Sequence, residues 1–168
     1  VLNTSILYTN DKVHNKLYQN GSNRNPANNY MYMHANMYSG NLLPYKDENG
    51  NAFSFSGPFH NPYWNLYEIS NDNERNILRG FVCLNDQINE DLSIGGKVMG
   101  DISNLVGDEF NNMGASYDRD GYYRTDDVTT SDWNYELMLN YKKDIGDFTI
   151  QAMLGANKYD YRMSRRQI

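Results

Sequence analysis

The side chains able to do chemistry are few and widely spaced. His14, His34 and His60 stand in loop-like sequence, without the H-x-x-x-H or H-E-x-x-H spacing that sets two rings on one metal or beside a general base. Ser and Asp abound, yet no G-x-S-x-G elbow occurs, and abundance alone does not supply a nucleophile, its base and an orienting group. The single cysteine, Cys83, excludes an internal disulfide and a cysteine-based zinc site. Hard oxygen ligands gather around glycine in Asp118-Arg119-Asp120-Gly121 and in Asp47-Glu48-Asn49-Gly50-Asn51. Neither completes a calcium loop with its closing glutamate, and both read as solvated turns. The sequence thus predicts no enzyme, no metal and no cofactor.

Aromatic faces remain. Tyr63, Trp64, Tyr122 and Tyr123 are the candidate ligand contacts, because such rings stack on sugars or pack against peptide side chains while Asn and Asp edges bond to hydroxyls or backbone. The competing reading is loop packing, since buried Tyr and Trp normally anchor structure. For Asn61-Pro62-Tyr63-Trp64 a structural corner is the preferred reading.

Composition limits the class. The 168 residues include 25 Asn, 15 Tyr and 13 Gly. The hydrophobic share is 39% and the mean hydropathy −0.79, both low for a packed globule of one-domain length. An aromatic share of 14% argues against disorder. A net charge of −6 leaves no electrostatic footprint for nucleic acid. No run approaches the roughly 18 apolar residues of a membrane helix, which does not exclude a membrane β-barrel. The chain opens on Val1-Leu2-Asn3 without a basic leader, which reads as a processed form or an internal piece.

The elements that position these residues are strands. Four segments alternate with period two. The first, about 77–86, sets Leu78, Gly80, Val82 and Leu84 against Arg79, Phe81, Cys83 and Asn85. The second, about 91–101, sets Leu92, Ile94, Gly96, Val98 and Gly100 against Ser93, Gly95, Lys97, Met99 and Asp101. The third, about 133–142, sets Tyr135, Leu137, Leu139 and Tyr141 against Asn134, Glu136, Met138, Asn140 and Lys142. The fourth, about 148–158, sets Phe148, Ile150, Ala152, Leu154 and Ala156 against Thr149, Gln151, Met153, Gly155 and Asn157. Residues 1–10 read as the end of a preceding strand.

The connections alternate in length. Residues 87–90 and 144–147 form short turns, whereas 11–75 and 102–132 are long polar excursions. Segments of about 9–11 residues suit a tilted membrane strand. Short turns on one side and long loops on the other are the habit of outer-membrane barrels. A soluble or surface β-sandwich that binds carbohydrate shares the period-two signal and is the alternative. It gives no reason for alternate connections to be very short and very long. On the barrel reading Leu92, Ile94, Val98, Leu137, Leu139, Ile150 and Leu154 face lipid. Residues 76–162 are two hairpins of the wall joined by an extracellular loop at 102–132. Residues 11–75 are a long extracellular loop, and 163–168 start the next.

A succession of motifs carries a family likeness. Asn61-Pro62-Tyr63-Trp64 precedes Arg79-Gly80; then come Asn89-Glu90-Asp91-Leu92-Ser93-Ile94 and Lys97-Val98-Met99-Gly100-Asp101; Gly121-Tyr122-Tyr123 and Leu154-Gly155-Ala156-Asn157 follow. Over residues 61–157 this resembles the barrel region of SusC/RagA-like TonB-dependent transporters of the Bacteroidetes outer membrane. Asp91 stands where the family often has Trp, and Ala156 where a second Gly is common. Residues 11–60 match no motif of the family. The resemblance implies an all-β fold: about four to five antiparallel transmembrane strands of a larger barrel of about 22 strands. It implies import of glycans or peptides across the outer membrane of a Gram-negative bacterium. The implied partners are a SusD-like surface lipoprotein, outer-membrane lipid, and TonB acting through a plug domain that this sequence does not contain.

Overall fold

The computed structural model describes residues 1–19, 21–33, 39–53, 61–115 and 119–168. Five strands form one open antiparallel sheet in sequence order: β1 (Leu2–Val13), β2 (Ile69–Gln87), β3 (Leu92–Asn111), β4 (Tyr122–Ile145) and β5 (Phe148–Gln167). Among the described residues two short α-helices, α1 (Pro26–Met31) and α2 (Pro62–Tyr67), and a 3-10 turn at Ser39–Leu42 lie between β1 and β2. No helix among the described residues is long and apolar enough to cross a membrane. The chain divides into two compact units. The first comprises residues 1–11, 75–105 and 128–165; the second comprises 12–74, 106–127 and 166–168.

The first unit is bare sheet. Its hairpin turns are local chemistry. The Asn89 side chain accepts from the Asp91 N–H at 2.9 Å, and Gly146 takes φ +62°. The Asn89 bond is an Asx-type turn. The register between β2 and β3 is set by the Ile88 N–H to Leu92 carbonyl bond and by Arg79 donating to Asp101 at 2.6 Å. It places Gly80 opposite Gly100. Alternate residues then fall on two faces. One face carries Ile6, Leu78, Val82, Val98, Ile102, Trp133, Leu137 and Leu154, all exposed. The other carries the Arg79–Asp101 pair, Asn134 accepting from Asn157 at 2.8 Å, and Asp132 accepting from the Tyr159 hydroxyl at 2.7 Å. Met99, Met138 and Met153 are interspersed on it. None of the buried residues among those described belongs to this unit.

The second unit holds the core. Trp64, Ile69 and Ala115 are buried together, with Tyr18, Tyr45 and Ala52 packed around them. Asparagine does much of the local folding. Asn25 caps α1 by accepting from the Ala27 N–H at 3.0 Å, and Asn61 caps α2 by accepting from the Tyr63 N–H at 3.0 Å. In each case proline occupies the first turn, where its missing N–H costs nothing. The amides of Asn25, Asn28, Asn61 and Asn65 donate to the carbonyls of Tyr18, Ser22, Leu42 and Asn23. Gly114 sits at φ +99°, where an added Cβ would lie 2.6 Å from the Gly50 carbonyl oxygen, so only glycine fits.

Strand lengths depart from the sequence reading. The excursion expected at 102–132 shrinks to 112–121, because β3 runs on to Asn111 and β4 starts at Tyr122. The loop expected at 11–75 shrinks to 14–68, and 163–167 is strand rather than loop. These extensions lack apolar alternation, which hid them. Polar cross-strand pairs take its place: Asn104 with Thr129 at 3.0 Å in the first unit, and Thr125 with Asp108 at 2.7 Å in the second.

Trp64 is the largest fully buried side chain among the described residues. Trp64→Ala is expected to destabilise the second unit by about 3–5 kcal/mol. Hydrogen exchange read at α2 measures it as faster exchange of the helix amides.

Candidate functional site

Two carboxylates organise the second unit. Glu109, near the end of β3, is buried, and its oxygens accept from Tyr18 Oη at 2.7 Å, Tyr122 Oη at 2.7 Å, Arg24 Nη1 at 2.9 Å and Arg124 Nη2. The Arg24 guanidinium also lies over the Tyr122 ring, 4.8 Å from its centre. Burial pushes the Glu109 carboxyl up. The Tyr18 and Tyr122 hydrogen bonds and the Arg124 and Arg24 charges outweigh that and hold it below the usual glutamate range. Burial, reinforced by the bond to Glu109, pushes the Tyr122 phenol up to about 12 and raises that of Tyr18 as well. Glu68 repeats the design at the end of α2. It accepts from Tyr45 Oη and Lys46 Nζ, each at 2.8 Å, and from Asn112 Nδ2 at 2.6 Å. Burial raises its carboxyl, and the bonds from Lys46, Asn112 and Tyr45 bring it below the ordinary value.

The candidate ligand contacts separate on this framework. Trp64 is 0% exposed and offers no face to a ligand; that expectation is corrected, because the indole is the core against which Ile69 and Ala115 pack. The corner read at 61–64 takes the form of a capped helix start. Tyr122 is half-buried, with its hydroxyl on Glu109 and a face under Arg24. Tyr123 is 65% exposed, with its hydroxyl donating to Asp108 at 3.0 Å. Tyr63 is half-buried and stacks parallel to Tyr67, with ring centres 6.2 Å apart and planes at 4°. Tyr45 approaches Tyr67 at 5.6 Å, and a side-chain hydrogen bond joins Tyr30 to Tyr63.

The Tyr30, Tyr45 and Tyr67 rings were not singled out from the sequence. The i, i+4 spacing of Tyr63 and Tyr67 is the signal that finds the stack once 62–67 is read as a helix. Glu109 and its two arginines gave no local signal, because Arg24 and Arg124 come from distant segments. The Asp47 carboxylate accepts from the Asn49 and Asn51 N–H groups at 2.9 and 2.7 Å, which makes it a turn. Asp118, His34 and His60 lie outside the described residues, and His14 is exposed 3.8 Å from Asp72. Among the described residues no His, Cys, Asp and Glu group is arranged to hold a metal.

In the first unit, Leu92, Ile94, Val98, Leu137, Leu139, Ile150 and Leu154 share one face by strand alternation. Val98, Leu137, Ile150 and Leu154 are exposed on it, Leu154 at 71%, while Leu92, Ile94 and Leu139 are half-buried. Aromatics stand towards both ends of this face. Tyr8 and Trp133 lie on the side of Asn76 and Ser131, and Tyr141 and Phe148 lie on the side of the short turns.

No protein-family model matches the chain, and no curated protein matches it.

Glu109→Gln removes the charge that both arginines face. It is expected to cost the second unit about 2 kcal/mol, seen as faster proteolytic cleavage within 12–31. The pH dependence has a definite sign. A carboxylate held low in the fold contributes stability above its unfolded value near 4.3, and that stability is lost as pH falls through the folded value. A phenol raised to about 12 contributes stability below about 10 that is lost as pH rises from there through 12. Amide protection at 106–115 and 119–124, taken relative to the intrinsic exchange rate at each pH, should therefore fall below about pH 4 and above about pH 10, and the acid limb should shrink in Glu109→Gln.

Proposed function

We propose that the chain is a section of the wall and outer loops of a TonB-dependent outer-membrane transporter. That transporter imports glycans or peptides together with a SusD-like surface lipoprotein. The observation that carries the reading is the first unit: a single-layer sheet with one apolar exposed face, one hydrogen-bonded polar face and no buried residue of its own. A lipid-facing wall with a watery lumen has this division. Residues Leu92 to Ile102 run about 33 Å along β3, which at a tilt of about 40° is about 25 Å of height, the usual apolar band of a barrel. Amphipathic aromatics towards both ends of the face fit the two interfaces. β1 and β5 are the outer strands of the sheet, and on this reading neighbouring barrel strands continue the ladder from them. The chain then contributes wall, lumen lining and loops, and energy comes from TonB through a plug.

A soluble carbohydrate-binding sandwich would instead cover the apolar face with a second sheet. Leu137→Arg and Asn140→Arg separate the two. Leu137 lies on the apolar face and Asn140 on the polar one. Arginine at Leu137 is expected to cost about 2–4 kcal/mol in lipid and block assembly into the outer-membrane fraction, while Asn140→Arg assembles normally. Assembly of both variants, or soluble release of the unaltered protein, would count against the barrel.

A further inference from the structure

The apolar face carries a dent. Gly80 and Gly100, opposite one another on β2 and β3, form its floor. Ile6, Leu78, Val82, Val98 and Ile102 form its sides, around an open depression of about 450 Å³. The Trp133 ring closes one flank. It lies so near Gly100 that a Cβ there would come within 2.8 Å of Cζ3, so the glycine is required by the ring. Arg79 borders the dent but turns its side chain to the opposite face, where its guanidinium is engaged by Asp101.

We propose that this dent is a binding site for one acyl chain of a membrane lipid. The inference rests on the membrane-wall reading above and adds a defined lipid to it. Three observations point to a hydrocarbon chain. The lining is mostly apolar, with Thr4 and Ser5 at the β1 edge as its hydroxyl residues and no charged group turned into it. The floor is two strands wide, on the order of 5 Å between strand axes, whereas a helix with its side chains measures about 10–12 Å and overruns it. The aromatics beside it are amphipathic and oriented. Trp133 Nε1 donates to Ser131 Oγ at 3.0 Å and Tyr8 Oη donates to Asn76 Oδ1 at 2.7 Å, so both polar atoms engage the polar end of the face. That end continues through Asn104 and Thr129. Rings on hydrocarbon and polar tips towards water mark an interface with lipid, and a second sheet would smother those tips. The short turns lie at the far end of the strands, so the chain enters from the leaflet opposite them.

The test is fluorescence quenching of the full-length protein that carries this chain, in excess detergent. The probe is phosphatidylcholine with brominated acyl chains, added at about one per protein. The Trp133 signal is the part of the emission lost in Trp133→Phe. Retained lipid is expected to quench it at least twofold, to be displaced by Val82→Phe, which fills the dent, and to survive Leu137→Phe, on the same face outside it. Quenching that only follows the mole fraction of probe overturns the site and leaves the wall reading intact. So does equal loss in both variants. A Trp133 signal that stays unquenched in vesicles made wholly of the brominated lipid overturns both.

Discussion

The sheet of the first unit has an apolar face and nothing of its own to put on it. Leu78, Val82, Val98, Leu137, Ile150 and Leu154 are all exposed, and no residue of this unit is buried. Water penalises such a surface at about 25 cal/mol per Å², so a contiguous face of this kind marks contact with something else. Everything else in the unit follows from that need. The opposite face carries polar side chains that pair with one another, such as Arg79 with Asp101 and Asn157 with Asn134. Gly100 is placed where the Trp133 ring must lie. The aromatics stand where the apolar band stops. A lipid bilayer, the contact proposed for this face, would meet the need without further protein.

The second unit solves a different problem. Its apolar core among the described residues is small. Order comes from carboxylates that each gather several donors. Glu109 holds two phenols and two guanidinium groups; Glu68 holds a phenol, an ammonium and an amide. Bonds to a charged group contribute about 1.5–3 kcal/mol each, more than neutral ones, and they fix direction as well as distance. The arrangement joins segments far apart in sequence, Tyr18 and Arg24 to the strand ends at Glu109 and Tyr122. Asparagine adds to this order: Asn25 and Asn61 start helices, while Asn28 and Asn65 staple passing carbonyls.

The low hydropathy thus has two sources. One is a sheet that is apolar on only one side. The other is a loop unit whose interior is hydrogen-bonded rather than oily. Tyrosine serves both, with its ring as packing surface and its hydroxyl as donor. The rings of Tyr18 and Tyr122 are structural for this reason. Tyr67 and Tyr123 keep the accessible faces.

The sequence by itself determined the strands that carry apolar alternation and the face each residue takes, because a period of two is written in consecutive residues. It also determined the turns at 89–91, 47–51 and 146, where Asn, Asp and Gly act on their immediate neighbours. Only the tertiary structure decided how far β3 and β4 run, since their outer portions are held by partners such as Thr129 for Asn104. Only it decided that Trp64 is core while Tyr123 is open, two aromatics that look alike in one dimension. The Glu109 cluster was equally invisible, because its members become neighbours only when the chain brings residues 18, 24, 109, 122 and 124 together. Local pattern is set by bonded neighbours. Burial and charge pairing are set by whatever the fold places next to them.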